Sequence, residues 1–316
     1  MSLCMMLISL FTFVELNCEN LFDCRHDSLK QDTEFLPEGA YHWSPARYWR
    51  KLNRVGQTIL ACGGEMSAWQ VPDLVALCEV ENDSVMFDLT RRSLLRKARY
   101  EYVMTDSPDE RGIDVALLYS PFSFALINKR SVRVSPIPGM RPTRDILYVS
   151  GRIITGDTLH VVVAHMPSRR GGEKISRPFR RYAAETLCGI IDSVRTLSPD
   201  AKIIVAGDFN DYTGAASICR IVSAGVEDVS ARATGHNGAK ATYRYHGEWG
   251  SLDHIFASPG MAALIDECFV ADEPFLLTAD EKYGGVQPRR NYLGPRYLDG
   301  FSDHLPLVAR FRLDYP

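Results

Sequence analysis

Ile203-Ile204-Val205-Ala206-Gly207-Asp208-Phe209-Asn210 sets four apolar residues directly against a glycine, a carboxylate and a carboxamide. A short continuous apolar run of this kind reads as a strand buried on both faces. The turn at Gly207 then presents Asp208 and Asn210 where the chain leaves the core. The same order recurs along the chain: residues 11–16 precede Asn17, residues 74–78 precede Glu79, and residues 159–164 precede His165. Residues 113–119, 146–154, 253–257 and 305–313 are further strand candidates.

Two helices stand out between these runs. Residues 45–62 carry Tyr48, Trp49, Leu52, Val55 and Ile59 at helical spacing, with Gly63-Gly64 as the stop. Residues 179–197 repeat the pattern through Tyr182, Ala183, Leu187, Ile190, Ile191 and Val194, with Pro178 expected at the start. Strands interspersed with helices predict sheets packed on each other and covered by helices. No repeat, low-complexity tract or polar linker marks a boundary, so residues 1–316 read as one domain. Residues 1–9 read as a signal remnant or disordered lead-in.

Composition narrows the function classes. The 316 residues carry a formal net charge of −3, which excludes a general polyanion binder. Any nucleic-acid contact must then come from a local patch. The eight cysteines form no CxxC pair, so buried thiols are expected rather than a disulfide scaffold or a thiolate metal site. Residues 1–13 are apolar but lack a basic leader and a cleavage site, and they are too short to cross a bilayer. The sequence thus predicts no stable membrane insertion and a monomer. It leaves localisation open between the cytoplasm and export through a degenerate signal.

Ligand sites in such sheets collect where strands end. Asp253 and Ser302-Asp303-His304 lie instead at the beginnings of strands, and antiparallel strands would carry them to the same rim. One rim would then hold Asn17, Glu79, His165, Asp208, Asn210, Asp253, Asp303 and His304. Singly, each has a plainer reading: Glu79 as a solvated acid, Gly207-Asp208-Phe209-Asn210 as a self-satisfied Asx-turn, His165 as a hydrogen-bonded core residue. Ser251-Leu252-Asp253-His254 could supply the carboxylate that orients His304, the usual arrangement of a general acid or base. The neighbours Asp303 and His304 would need irregular backbone to share one face.

The loop after His165, Met166-Pro167-Ser168-Arg169-Arg170-Gly171-Gly172-Glu173, combines arginines and glycines in a way that suits a phosphate. Arg177, Arg180 and Arg181 extend it into a basic cluster. Oxygen donors rather than thiolates point to a hard cation, Mg²⁺ first, with Mn²⁺ or Ca²⁺ as alternatives. Zn²⁺ fits less well, because no two histidines have ligand spacing on one element.

Taken together and in order, these motifs resemble the endonuclease/exonuclease/phosphatase superfamily, the group of deoxyribonuclease I-like and exonuclease III-like enzymes. The matching stretches are Leu16-Asn17-Cys18-Glu19-Asn20-Leu21-Phe22, Glu79, Arg111-Gly112-Ile113-Asp114, Val163-Ala164-His165, Gly207-Asp208-Phe209-Asn210, Ser251-Leu252-Asp253-His254 and Ser302-Asp303-His304. The resemblance implies an α/β fold, a four-layer α/β/β/α sandwich of two packed mixed sheets flanked by helices. It implies Glu79 as the main metal ligand, with Asn17 and Asp303 beside it. Asp208 would position or activate the attacking water, Asn210 would hold the phosphate, and His304 paired with Asp253 would act as base or phosphate contact. His165 is similar to the second histidine of deoxyribonuclease-like members, with Asp114 as its expected partner. Arg111, Arg169 and Arg170 are expected at substrate phosphate.

The chain departs from two branches. His165-Met166-Pro167-Ser168 stands where abasic-site enzymes have a tyrosine and an asparagine, and the inositol-phosphatase signature is missing. Its His-x-Pro-Ser-Arg-Arg-Gly-Gly-Glu loop resembles a bacterial subgroup. The expected function is a Mg²⁺-dependent phosphoesterase acting on a phosphate-ester substrate, first as a phosphodiesterase or nuclease with nucleic acid as a partner. The alternatives are a phosphomonoesterase or phospholipase C-like enzyme on a small phosphate ester or lipid, and an inactive binding module. Under the small-ester alternative, residues 272–300, with Tyr283, Arg289, Arg290, Tyr292 and Tyr297, could wall a compact pocket just before Ser302-Asp303-His304; the plainer reading is an ordinary surface loop.

Overall fold

The computed structural model describes residues 8–64 and 70–314. Cys4 and most of the expected lead-in lie outside the described residues, and Ile8 and Ser9 already belong to the first strand. In chain order come β1 (Ile8–Leu21), α1 (Pro45–Ala61), β2 (Leu74–Val80), α2 (Asp83–Phe87), β3 (Glu101–Met104) and β4 (Asp114–Tyr119). Then follow β5 (Phe124–Val132), β6 (Ile146–Ile153), β7 (Thr158–His165), α3 (Glu173–Leu197), β8 (Lys202–Asp208), α4 (Ala216–Ser223) and β9 (Glu227–Asp228). A hairpin of β10 (Tyr243–Tyr245) and β11 (Glu248–Gly250) precedes β12 (Asp253–Ala257) and β13 (Ile265–Val270). Two further hairpins, β14 (Leu277–Ala279) with β15 (Val286–Pro288) and β16 (Tyr292–Leu293) with β17 (Arg296–Tyr297), lead to β18 (Leu307–Asp314).

Two six-stranded sheets result, ordered β13-β18-β1-β2-β4-β3 and β5-β6-β7-β8-β12-β9. Among the described residues, parallel pairing occurs only between β1 and β2 and between β7 and β8, the two pairs bridged by the long helices α1 and α3. That is what a crossover requires, since a parallel neighbour cannot be reached by a tight turn. β12 and β18 run antiparallel to β8 and β1. Their N-terminal ends therefore reach the rim where β1, β2, β7 and β8 end.

Strand alternation decides which side chains meet. On β1, Phe11 and Phe13 enter a core shared with Ala76, Val161, Val163, Ile204, Ala206, Ile255 and Leu307 from both sheets. Val14 and Leu16 point the other way, against Leu52, Val55 and Ile59 of α1. On the far side, Val162, Ile203 and Val205 pack under Ala183, Leu187 and Ile191 of α3. Helix, sheet, sheet and helix give the expected four-layer α/β/β/α sandwich. The described cysteines are all free, and Cys18, Cys62, Cys78 and Cys188 are buried as small hydrophobes.

Three expectations need correction. Helix α3 begins at Glu173, so Pro178 lies inside it rather than at its start. Glu173 forms a two-bonded i,i+4 pair with Arg177 at 2.8 and 2.7 Å, and Ser176 Oγ donates to Gly172 O at 2.9 Å. These bonds support the first turns, while Pro178 removes a single bond on the exposed face. Residues 272–300 form ordered hairpins, not a long loop. Asp272 accepts from the backbone N–H groups of His236, Asn237 and Ala239 at 2.7, 2.7 and 3.0 Å. Finally, β18 starts at Leu307, two residues later than expected, which leaves Ser302-Asp303-His304 in irregular backbone.

Gly207 shows how tightly β7 and β8 approach near the rim. It has φ +143°, and a Cβ there would sit 1.8 Å from the Ala164 carbonyl oxygen. Gly207→Ala should therefore cost about 2 kcal/mol or more through overpacking and strain. Thermal unfolding should show a melting temperature lower by several degrees; an unchanged value would show that the backbone yields freely.

Candidate active site

The strand ends are not regular, and the irregularity builds the site. Between the β1–β2 pairs Asn17/Cys78 and Leu21/Val80, β1 carries two extra residues. Glu19 (φ 49°) and Asn20 (φ 58°) absorb them in left-handed backbone, and Glu79 opposite has φ 62°. Non-glycine residues pay for such conformations, and they cluster where the fold must aim side chains. As a result the Asn20 N–H donates to Glu79 Oε2 at 2.8 Å.

Asp208 is the junction of the two sheets. Its Oδ2 accepts from Asn17 Nδ2 at 3.0 Å and lies 3.5 Å from His165 Nε2. Its Oδ1 accepts from the Asn210 N–H at 2.8 Å, and Asn210 Nδ2 donates to Met166 O at 3.2 Å. Asn210 itself takes φ 52°. Burial, then the neighbouring Asp253, pushes the Asp208 carboxyl up to about 7.

His304 faces Asp253 with Nδ1 at 2.8 and 3.0 Å from the two carboxylate oxygens. Thr242 Oγ1 donates to Asp253 Oδ2 at 2.5 Å. The His304 N–H donates to Ser302 Oγ at 3.1 Å, and Ser302 Oγ donates to Asn17 O at 2.7 Å. Burial opposes charging of His304, but Asp253, Asp208 and Asp303 outweigh it and hold the imidazole well above its ordinary range. His165 is the opposite case. Burial, with Arg144 and Arg111 nearby, holds it well below that range. One histidine is thus kept charged and the other neutral, which divides donor from acceptor roles.

The expected partner of His165 is not Asp114. That carboxylate is buried and accepts from Thr105 Oγ1 and from the Ser107 N–H. His165 Nδ1 is buried with no hydrogen-bond partner among the described residues. The reason is local: Asp114 starts β4 beside β2 and is captured by the turn that precedes it.

The three arginines expected at phosphate separate. Arg111 Nη2 lies 3.7 Å from Glu79 Oε2 and also donates to Asn20 Oδ1. Arg170 lines the cleft beside the His165 loop. Arg169 turns away, 3.6 Å from Asp211 and over the Tyr212 ring at 4.9 Å. Arg180, part of the expected basic cluster, is fully buried with Nε 2.8 Å from Asp211 Oδ2. Its charge serves the fold, and Arg177 is paired with Glu173.

Further residues join the site, of which the sequence had pointed only to Arg290, through its segment before Ser302-Asp303-His304. Arg290 pairs with Asp303 Oδ2 at 2.5 Å. Glu19 accepts from the Asn291 and Tyr292 N–H groups at 2.6 and 2.9 Å, and burial, then Asp303, pushes its carboxyl up to about 7. Lys51 is buried beneath, where it donates to Phe301 O and feels Glu19, Asp303 and Glu79. Its signal was present: a lysine on the apolar face of α1 beside Tyr48, Leu52 and Val55. Glu15 lies under Asp208 and Asp253, fully buried, with Cys78 as its side-chain neighbour. The acid inside an apolar run was its signal.

As for a metal ion, ligand atoms of Asp208, Asp253 and His304 lie within 4.8 Å of one another and could hold one. The Asp253–His304 bond already satisfies much of that trio. Glu79 and Asp303 instead each leave an oxygen, Oε1 and Oδ1, that accepts no hydrogen bond among the described residues. Such hard oxygen donors fit a divalent cation.

The sequence matches the endonuclease/exonuclease/phosphatase family over residues 12–312. The chain belongs to that family. It is therefore an enzyme of a phosphoester-hydrolysing family. No curated protein matches it in sequence. Among solved structures, an endonuclease/exonuclease/phosphatase family protein from Bacteroides thetaiotaomicron is similar at TM-score 0.64 and 17% identity, covering 98% of this chain and 100% of that one. A Bacteroides thetaiotaomicron mannosyl-6-phosphatase is similar at TM-score 0.60 and 18% identity, covering 95% and 98%. TDP2 from C. elegans is similar at TM-score 0.59 and 16% identity, covering 96% and 75%. At these identities the likeness is one of fold. No described helix is long and apolar enough to cross a membrane.

Glu81 supplies a test that is independent of catalysis. It lies beyond the rim, buried, with Oε2 accepting from the Asp23 N–H at 2.6 Å. Burial pushes its carboxyl from 4.5 up to about 8. The folded state therefore holds this proton more tightly than the unfolded state. The stability it contributes is complete below about pH 4.5 and is lost as pH rises through about 8. Glu81→Gln should flatten the fall in melting temperature between pH 5 and 8; an unchanged slope would contradict the assignment.

Proposed function

We propose that the enzyme is a divalent-cation-dependent phosphodiesterase that attacks phosphorus in line with water. The observation that carries this is a pair of clefts whose linings flank rim residues in the chain: Pro167 and Ser168 follow His165 in one, and Tyr212 and Ser251 neighbour Asn210 and Asp253 in the other. One, of about 390 Å³, lies on the β6–β7 side and is lined by Arg111, Pro167, Ser168 and Arg170. The other, of about 620 Å³, lies on the β12 side and is lined by Tyr212, Tyr245, Trp249 and Ser251. A phosphomonoester needs room for one alcohol, whereas a diester has an arm on each side. Two clefts therefore favour a diester.

In this reading Asn17, Glu79 and Asp303 would hold Mg²⁺, with Mn²⁺ or Ca²⁺ as substitutes, and a bound cation would supply charge neutralisation at the phosphoryl oxygens. Asp208, held near neutrality in its proton affinity, orients the attacking water and accepts its proton. Asn210 and Arg111 bind non-bridging oxygens. His304, held toward its charged form by Asp253, donates a hydrogen bond to a phosphoryl oxygen, and His165, beside Asp208, passes the water's proton on to the leaving oxygen as its bond to phosphorus breaks. The chain acts as a monomer.

The phosphatase reading of the mannosyl-6-phosphatase neighbour is the competing one, and TDP2 gives a second fold precedent. Bis(p-nitrophenyl) phosphate and p-nitrophenyl phosphate separate the two. The diester should turn over faster, and EDTA should abolish turnover until Mg²⁺ is restored. Preference for the monoester would overturn the diester reading. His304→Ala should lower kcat on the diester by about 10²–10⁴. Glu79→Ala should likewise abolish most turnover, and unaltered rates in either variant would remove these roles.

A further inference from the structure

The cleft on the β6–β7 side is charged out of proportion to the chain. Arg111, Arg141, Arg144 and Arg170 line it against only Asp109 and Glu110, in a protein of net charge −3. The carboxylates do not neutralise it evenly. Asp109 is committed to the buried Arg144 at 3.2 Å. Glu110 reaches Arg141 only at 3.5 Å, across a side chain that is 71% exposed. Arg170 has no ion pair among the described residues. Arg141 and Arg170 thus face the cleft with little or no counter-charge.

The wall between them holds a second clue. Arg144 Nε and Thr143 Oγ1 are buried without a hydrogen-bond partner, on residues that line this cleft. Orphaned buried polar atoms are rare and call for an explanation. Arg144 also donates to Met166 O at 2.6 Å, so the wall is tied to the residue after His165. Arg111, between Glu79 and the cleft, spans both. An oxyanion lodged here would share Arg111 with Glu79. Phosphate is the oxyanion that matches several guanidinium forks at once. Met140, Ile175 and Phe179 supply an apolar side for the carbon skeleton that joins the two phosphates.

We infer that this cleft is a second-phosphate subsite, which selects diesters whose arm on the β6–β7 side carries a further phosphate. The inference rests on the phosphodiesterase reading and names its substrate class. Arg141 and Arg170 bind the distal phosphate. Arg144 holds the wall and the His165 loop in place.

Two measurements on the full chain test it. In Mg²⁺, kcat/KM is compared for the p-nitrophenyl ester of thymidine 5′-phosphate with and without a 3′-phosphate. The 3′-phosphate should raise kcat/KM about tenfold, the size of one charge-assisted hydrogen bond, mainly through KM. Arg141→Ala should reduce that preference to about threefold or less. In parallel, calorimetric binding of thymidine 3′,5′-bisphosphate is compared with that of the two thymidine monophosphates. The bisphosphate should bind about tenfold more tightly than either, and Arg141→Ala should remove the difference. If neither ester turns over but the bisphosphate preference holds and needs Arg141, the diester reading falls and the subsite stands. Equal binding of mono- and bisphosphates, or a preference untouched by Arg141→Ala, overturns the subsite. Because Arg141 is a surface side chain, its loss should leave the fold intact.

Discussion

The hydrogen bond between Asp253 and His304 joins elements of the two different sheets. Asp253 begins β12 in the second sheet, and His304 lies just before β18 in the first. Asn17 and Asp208 make a second such bond across the same rim. Both depend on the apolar core beneath, where Phe13, Ala206, Ile255 and Leu307 fix how the sheets face each other. Hydrophobic packing of this kind supplies most of the driving force but little direction. The polar bonds at the rim turn that packing into a defined constellation.

The cost of the constellation is electrostatic. Glu15, Glu19, Asp208, Asp253 and Asp303 are concentrated at one end of a mainly apolar interior. The protein offsets this with Lys51 beneath, Arg290 at Asp303, Arg111 at Glu79 and a charged His304. Glu15 is answered differently. Burial, Asp253 and Asp208 push its carboxyl well above the usual range, so it stays neutral. A divalent cation would relieve the remaining repulsion.

Much of this was legible in the sequence, because apolar runs that stop at a polar residue are a local signal. The runs ending at Asn17, Glu79, His165 and Asp208 are strands that reach one rim. The helix over residues 45–62 needs only its last residue trimmed. What was misread involved partners outside the motif that was read, near or far in the chain. Asp114 looked available to His165, yet Thr105 and Ser107 capture it. Arg169 looked equivalent to Arg170, yet Asp211 and Tyr212 draw it aside. Arg180 looked like part of a basic surface, yet it is buried against Asp211. Hairpins β14–β15 and β16–β17 read as a loop because their strands are only two or three residues long.

By itself, the sequence determined the strand and helix pattern, the two-sheet architecture and the residue types gathered at the rim. Hydrophobic periodicity is written along the chain and needs no knowledge of partners. Only the tertiary structure decided which carboxylate serves which histidine and which arginines stay unpaired. Those outcomes depend on pairs tens to hundreds of residues apart, such as Asn17 with Asp208 and Glu19 with Asn291. Ser302-Asp303-His304 shows both halves. Its chemistry is readable in three letters, but its place in one site needed the irregular backbone that Ser302 ties to Asn17.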